Sequence, residues 1–344
     1  MERARRESNT TSGVHRALAS ALLLVMLPAC AAGVGRAPSA PDAAFRAAAP
    51  AGAPYVLVLG TAQDGGLPQI GCELRCCTRA RSAPSTRRLV ASLLIVDPRS
   101  GTRWLIDATP DLREQVERMR GHPPARVVAG PRPPLVDGIF LTHAHVGHYL
   151  GLAQLGREAY GARDVALFGP ASMGAFLRRD GPWSLLFEEG RATFTALADG
   201  ERVALATDLS VTALAVPHRD ELSLTHGYLV RGPSRALLYV PDIDKWERWD
   251  RRLEDVLADV DVALLDGTFF ADGEVPGRGM ADIPHPFMVE TIARLKDLPA
   301  RDRTKVAFTH LNHTNPAADP TSGAAAAVRA AAMRVAQEGE VVGL

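Results

Sequence analysis

The sequence predicts an α/β fold whose strands deliver polar residues to a common edge, and three observations predict it. Short apolar runs that read as strands alternate with helical stretches from Tyr55 to the end of the chain. His143, His218, Asp242, Asp266 and His310 each stand at the carboxyl end of such a run, which is where α/β sheets gather a site. His143, His145 and His148 also fall within six residues, directly after the apolar run Gly138-Ile139-Phe140-Leu141.

The amino terminus comes before this pattern. Arg3, Arg5, Arg6 and Arg16 lead into an apolar run over 17–27, closed by Leu27-Pro28-Ala29-Cys30. A basic start, an apolar stretch too short to span a bilayer and a small residue before the cut predict a signal peptide over 1–29. The Leu-Pro-Ala-Cys end resembles a bacterial lipobox, with Cys30 as the lipidated first residue on the periplasmic face of a membrane. The other reading is an ordinary signal peptide whose cysteine is incidental. Residues 30–54 are mostly Ala, Gly, Pro, Arg and Ser, a flexible tether that buries little. One folded domain then occupies 55–344. Lys+Arg and Asp+Glu are equal at 39 each, so no basic stripe argues for nucleic acid.

Residues 55–59 form a continuous apolar strand, and the Gly-rich loop 60–66 after it allows close backbone approach to a site. It lacks the Gly-Lys-Ser/Thr of a P-loop. Cys72, Cys76 and Cys77 follow. With Cys30 lipidated they are an odd set, which suits one disulfide plus a spare thiol less well than a structural zinc held by three thiolates and one histidine. Cys76 and Cys77 are adjacent, so a disulfide would have to use Cys72. His313, three residues after His310, is the candidate fourth ligand.

Residues 89–96 and 103–106 read as a hairpin across the turn 97–101, and a helix starts beyond, with Thr109 as N-cap and Pro110 first. The Pro-rich segment 121–134 is a loop. At the histidine cluster, an extended backbone points His143 and His145 the same way. A helical turn puts His145 and His148 on one side. A strand that ends at His143 and winds into a helix over 149–160 therefore aims all three rings at one point, and neutral imidazole is the commonest ligand for zinc and related metals.

Strands are expected at 165–168, 210–216, 227–230, 236–240, 262–265 and 305–309, and helices at 171–179, 245–257, 286–295 and 322–337, with 340–342 as an edge strand. Trp246 and Trp249, three apart on the helix 245–257, are packing residues. His226 is structural, and His122 lies in the Pro-rich loop.

The string Thr142-His143-Ala144-His145-Val146-Gly147-His148, followed by His218, Asp242 and His310, resembles the metallo-β-lactamase fold superfamily. Within it, residues 55–344 are similar to the pyrroloquinoline-quinone biosynthesis protein B group and to the cyclic phosphodiesterase of phosphonate operons. Gly60-Thr61, Gly65-Gly66-Leu67-Pro68-Gln69, the cysteine cluster, Leu265-Asp266-Gly267-Thr268 and the stretch from His310 to Pro316 carry the likeness. The resemblance implies an αββα sandwich, two mixed sheets face to face with helices outside and the metal in a cleft along one edge. It implies His143, His145 and His218 on one ion, and His148, His310 and a bridging Asp242 on a second, with Asp242 and His310 serving catalysis. It also implies structural zinc on Cys72, Cys77 and His313; Cys76 departs from the usual spacing. Gly147 stands where the superfamily motif has Asp. That leaves one ion, or two with Asp64, Asp244 or His285 as substitute ligand.

These features predict a metal-dependent hydrolase acting on a small-molecule ester, amide or phosphodiester. Zn²⁺ is the expected metal, one or two ions at the histidines and one at the cysteines, with Fe²⁺ or Mn²⁺ as alternatives at the histidines. Asp220 and Glu221 are candidates for positioning or proton transfer. Two alternatives stand beside it: an iron enzyme using O₂, and a non-catalytic lipid-anchored carrier, for which Gly147 is the supporting feature. The membrane contact expected is the lipid anchor alone, and nothing in the sequence specifies an oligomer.

Overall fold

Apolar runs with no polar face become strands covered on both sides, and β1 (Tyr55–Gly60) is buried at every residue. The computed structural model describes residues 52–122, 134–275, 277, 279–280 and 283–344. The signal segment, Cys30, nearly all of the tether and most of the Pro-rich loop lie outside them.

Among the described residues, β1, β2 (Ser92–Asp97), β3 (Thr102–Ile106), β4 (Gly138–Phe140), β5 (Val165–Gly169) and β6 (Ala192–Ala196) lie in one sheet. The second holds β7 (Arg202–Ala206), β8 (Leu209–Val216), β9 (Thr225–Arg231), β10 (Ala236–Val240), β11 (Val262–Asp266), β12 (Val306–Thr309) and β13 (Arg334–Val335). The last strand, β14 (Val341–Gly343), returns to the first sheet beside β1. The orders are β14-β1-β2-β3-β4-β5-β6 and β13-β12-β11-β10-β9-β8-β7. Each sheet is antiparallel at one side and parallel at the other. β1, β3 and β4 run the same way in the first, as do β8, β10, β11 and β12 in the second.

Strand alternation sorts the core into layers. Val56, Val58, Leu93 and Ile95 meet Tyr228, Val230, Leu237 and Tyr239 between the sheets. Tyr55, Leu57 and Leu59 face the opposite way, toward Leu152, Met173 and Phe176. Leu238, Val240 and Leu265 pack outward on Trp246, Leu253 and Leu295. The helices are α1 (Arg75–Ser82), α2 (Leu112–Arg118), α3 (Val146–Tyr149), α4 (Ala171–Arg179), α5 (Ser184–Glu188), α6 (Leu253–Ala258), α7 (Met288–Leu295), α8 (Ala300–Arg303) and α9 (Gly323–Ala330). The architecture is the αββα sandwich that the resemblance implies. Phe140, at the root of the histidine loop, stacks on Phe168 at 4.7 Å and meets Tyr228 edge-on at 5.5 Å.

Several elements differ from the sequence expectation, two of them because distant segments take their hydrogen bonds. The helix expected over 149–160 is one α-helical turn, α3, followed by a 3₁₀ stretch, Leu150–Leu155. The His148 carbonyl accepts from Ala108 N–H, and Gly151 N–H donates to the Ala108 carbonyl, both at 2.9 Å, so cross-chain bonds replace the helical ladder there. The helix expected over 245–257 is broken into a 3₁₀ turn at Trp246 and α6. The indole of Trp246 donates to Thr291 Oγ1 and that of Trp249 to the Ala215 carbonyl, each at 2.8 Å, which pulls the two rings to different elements. The last long helix stops at Ala330, and Arg334–Val335 pair with β12. Helix α2 starts after Asp111 rather than at Pro110. The half-exposed strands β6 and β7 and the helix α1 were not among the expected elements.

Candidate metal centre

Because β1, β3 and β4 are parallel to one another, and β8, β10, β11 and β12 likewise, the polar residues after them emerge together at one edge of each sheet. β4 delivers Thr142, His143, His145 and His148; β8 delivers His218; β10 delivers Asp242; β12 delivers His310. One donor atom from each of His143, His145, His218 and Asp242 lies within 4.8 Å of the others. His143 Nε2 is 2.8 Å from His145 Nδ1 and 3.3 Å from Asp242 Oδ2. His218 Nε2 is 3.1 Å from Asp242 Oδ1. A second group, Asp64, His148 and His310, is as tight. His148 Nε2 and His310 Nε2 lie 3.8 and 3.9 Å from Asp242 Oδ2, so Asp242 faces both groups.

The residues fit a metal. His148 Nε2, His310 Nε2, both ring nitrogens of His218 and Asp242 Oδ1 are buried without a hydrogen-bond partner. Each such orphan costs about 1–3 kcal/mol unless a cation or donor answers it. Imidazole nitrogen with carboxylate oxygen suits zinc, iron and manganese.

Two matched sets of groups aim the rings. Asp107, just after β3, accepts from Thr142 N at 2.8 Å, from Thr142 Oγ1 at 3.0 Å and from His148 Nδ1 at 2.7 Å. Thr142 Oγ1 is also 3.0 Å from His143 Nδ1. Asp266, ending β11, accepts from Thr268 N, Thr268 Oγ1, Ile243 N and His285 Nδ1 at 2.7–3.1 Å. Thr268 Oγ1 is 3.0 Å from His310 Nδ1. Bonding at Nδ1 leaves Nε2 of these histidines for a ligand. Asp107 and His310 have φ of 68° and 61°, conformations that persist only when the surroundings enforce them.

Electrostatics follows the same partition. Burial, with His148 adjacent, holds His143 well below the usual histidine value. Burial also opposes the charged form of His148, but the carboxylates of Asp107, Asp64 and Asp242 outweigh it and push this histidine up to about 9. Burial opposes ionisation of Asp242, yet the surrounding His218, His285 and His310 hold it well below the carboxylate range.

Of the candidates to replace a carboxylate at residue 147, Asp64 lies in the second group, and His285 joins Asp242 and Asp266 instead. Asp244 does not belong there: it pairs with Arg248 and caps Lys245 N. Asp220 and Glu221 are both exposed, and Glu221 Oε1 is 3.3 Å from His145 Nε2. His226 is buried within β9, its N–H bonded to the Thr142 carbonyl at 3.0 Å, and its ring belongs to neither donor group. The positioning roles of Asp107, Thr142 and Thr268 escaped the sequence reading; an Asp immediately after a strand, as at Asp107, was the available signal.

The cysteines lie beyond the loop 60–66. Cys72, Cys76, Cys77 and His313 place one donor each within 4.8 Å, with Cys76 inside the group despite its spacing, and the three thiols are free. No disulfide forms among these described residues. Burial and the neighbouring thiols push Cys77 up to about 12, even though Gln69 N–H bonds its sulfur; a cation would relieve that crowding.

Comparison with known proteins agrees with this geometry. The beta-lactamase superfamily domain matches residues 102–311. Coenzyme PQQ synthesis protein B of Methylobacterium sp. (strain 4-46) is 31% identical over 309 residues, covering 82% of this chain and 97% of that protein. Its counterpart in Methylobacterium radiotolerans is 29% identical over 304 residues, covering 83% and 98%. The crystal structure of Zn²⁺-bound PqqB from Methylobacterium extorquens superposes with a TM-score of 0.71 at 24% identity, over 84% of this chain and 100% of that one. A diphosphatase of the PhnP family gives 0.57 at 20% identity, over 85% and 98%. A sandwich with its histidines and carboxylates at one edge, matched over most of its length, places this chain in the beta-lactamase superfamily, in the family of coenzyme PQQ synthesis protein B.

Proposed function

We propose that the protein is a metal-dependent hydrolase of a small ester, amide or phosphodiester, built on a two-ion centre. The observation that carries this reading is the convergence of orphaned, buried imidazole nitrogens on Asp242 beside a cleft of about 460 Å³. His143, His145 and His218 would hold one ion, His148 and His310 the other, and Asp242 would face both. Zinc bound there supplies Lewis acidity and lowers the pKa of its water to about 7. The chain's own groups do the rest. Thr142, Asp107, Thr268 and Asp266 hold the rings in register. Arg219, at the cleft wall, offers a positive charge to an anionic substrate group. His285, held by Asp266 and lining the same cleft, is placed to hand a proton to a leaving group.

His145→Ala tests the proposal. Metal loading at the histidines and turnover across a panel of phosphodiesters, lactones and lactams should fall together. Retained turnover would refute it. A second reading is an iron enzyme using O₂, because imidazole and carboxylate donors suit iron as well as zinc. Iron in the histidine site together with O₂ uptake would put it first. We further propose that the enzyme works at the periplasmic face, anchored through Cys30, on the strength of the amino-terminal sequence.

A further inference from the structure

The carboxylate of Asp64 occupies the space that a side chain on residue 147 would need. A Cβ placed on Gly147 would lie 2.2 Å from Asp64 Oδ1 and 2.8 Å from Asp64 Cα, far inside van der Waals contact. The backbone of Gly147 is not in the left-handed region, so its conformation would accept any residue; space alone forbids a side chain. In its place the Gly147 N–H donates to Asp64 Oδ1 at 3.1 Å.

The loop that carries Asp64 is fixed on both sides. Leu311 N–H donates to the Thr61 carbonyl at 2.8 Å, and Gln63 N–H donates to the Leu311 carbonyl at 2.9 Å. Ala62 N–H donates to the Leu89 carbonyl, and the Ala62 carbonyl accepts from Ala91 N–H, each at 2.8 Å. Leu311 follows His310, so one stretch of paired backbone holds both Asp64 and His310. Asp64 Oδ1 is 3.8 Å from the orphaned His148 Nε2. The donors of Asp64, His148 and His310 lie within 4.8 Å of one another, and Asp242 Oδ2 is beside both rings.

We propose that Asp64, from the loop after β1, is the carboxylate ligand of the second ion, and that Gly147 is the vacancy that admits it. The proposal rests on the two-ion reading above. It has a functional consequence, because the same loop lines the substrate cleft through Gln63, Gly65, Gln69 and Ile70. The second ion and the cleft wall therefore form one mechanical unit, and a ligand that displaces the wall also disturbs the ion.

The test is a charge transplant, read as zinc per chain. The full protein is equilibrated at fixed free zinc, and the affinity of each ion is measured by competition with a chromophoric chelator. Wild type should hold three ions, two at the histidines and one at the cysteines. Asp64→Asn and Asp64→Gly should hold two, with affinity for the lost ion weakened at least about a hundredfold, beyond the usual effect of an outer-shell partner. Gly147→Asp alone should also lose an ion, since two carboxylates compete for one space. The double variant Asp64→Gly/Gly147→Asp should regain the third ion. Retention of the cysteine-bound ion and an unchanged circular dichroism spectrum establish that each variant is folded. Three ions at wild-type affinity in Asp64→Asn, or a double variant no better than Asp64→Gly, would overturn the assignment alone. A single ion in Cys77→Ser, where only the histidine centre is left to bind, would overturn the two-ion reading and the assignment with it.

Discussion

Replacing Asp107 by Asn should weaken metal binding at His148 while leaving the fold intact. Asp107 Oδ1 accepts from Thr142 N and Thr142 Oγ1, and Oδ2 faces His148 Nδ1 at 2.7 Å. Asn tolerates the left-handed φ of 68° at this position, so the backbone is not disturbed as it would be by Ala. Its oxygen can keep the Thr142 donors, which puts the amide NH₂ against His148 Nδ1. Two donors then face each other. Moving the ring proton to Nε2 relieves the clash and takes the lone pair from the nitrogen that should bind the ion. Loss of such an orienting partner weakens metal binding about 10–100-fold, or about 1.4–2.7 kcal/mol. Chelator competition measures the affinity, and circular dichroism reports the fold. A folded Asp107→Asn protein with wild-type affinity would refute the claim that Asp107 sets the His148 tautomer.

Three further outcomes are expected. Cys77→Ser should release one ion per chain, detectable with a colorimetric chelator, and lower Tm, because Cys72, Cys76 and His313 cannot complete a four-donor set alone; an unchanged ion count would contradict the structural site. Burial pushes Glu274 up to about 7 from an ordinary 4.5, against the backbone N–H groups of Ala271 and Phe270. The unfolded chain ionises near 4.5 and the folded chain keeps its proton until about 7, so wild type loses stability as pH rises through that window. Glu274→Gln, which retains an acceptor oxygen, should therefore melt higher than wild type at pH 8 and lose that advantage by pH 4.5; a pH-independent gap would count against it. Cys30→Ala should abolish incorporation of labelled palmitate in bacterial cells, and labelling that persists would rule out that anchor.

Local patterns made much of this protein legible. Continuous apolar runs marked the strands buried on both faces, because period and composition are properties of neighbouring residues. The spacing of His143, His145 and His148 pointed to one focus for the same reason. The resemblance carried by that motif implied the sandwich, and the histidines and Asp242 that it named as ligands lie together at one edge.

Other features depended on which distant segments meet. Helix periodicity ran through 149–160, but the His148 carbonyl turns to Ala108 and the ladder ends. Asp107 lay just ahead of the helix expected from Thr109, and its hydrogen bonds to Thr142 and His148 exist only because β3 lies beside β4. Asp64, Asp244 and His285 were equivalent candidates on paper. The structure separates them, through a clash between the Asp64 carboxylate and any Cβ at residue 147, an Arg248 partner for Asp244, and an Asp266 partner for His285. The sequence by itself determined the continuously apolar strands and which imidazoles share a turn, since those follow from composition and spacing along one stretch of backbone. Only the order of strands in the two sheets decided which carboxylate reaches which ring, because a contact such as that of Asp64 with His148 closes across more than eighty residues of chain.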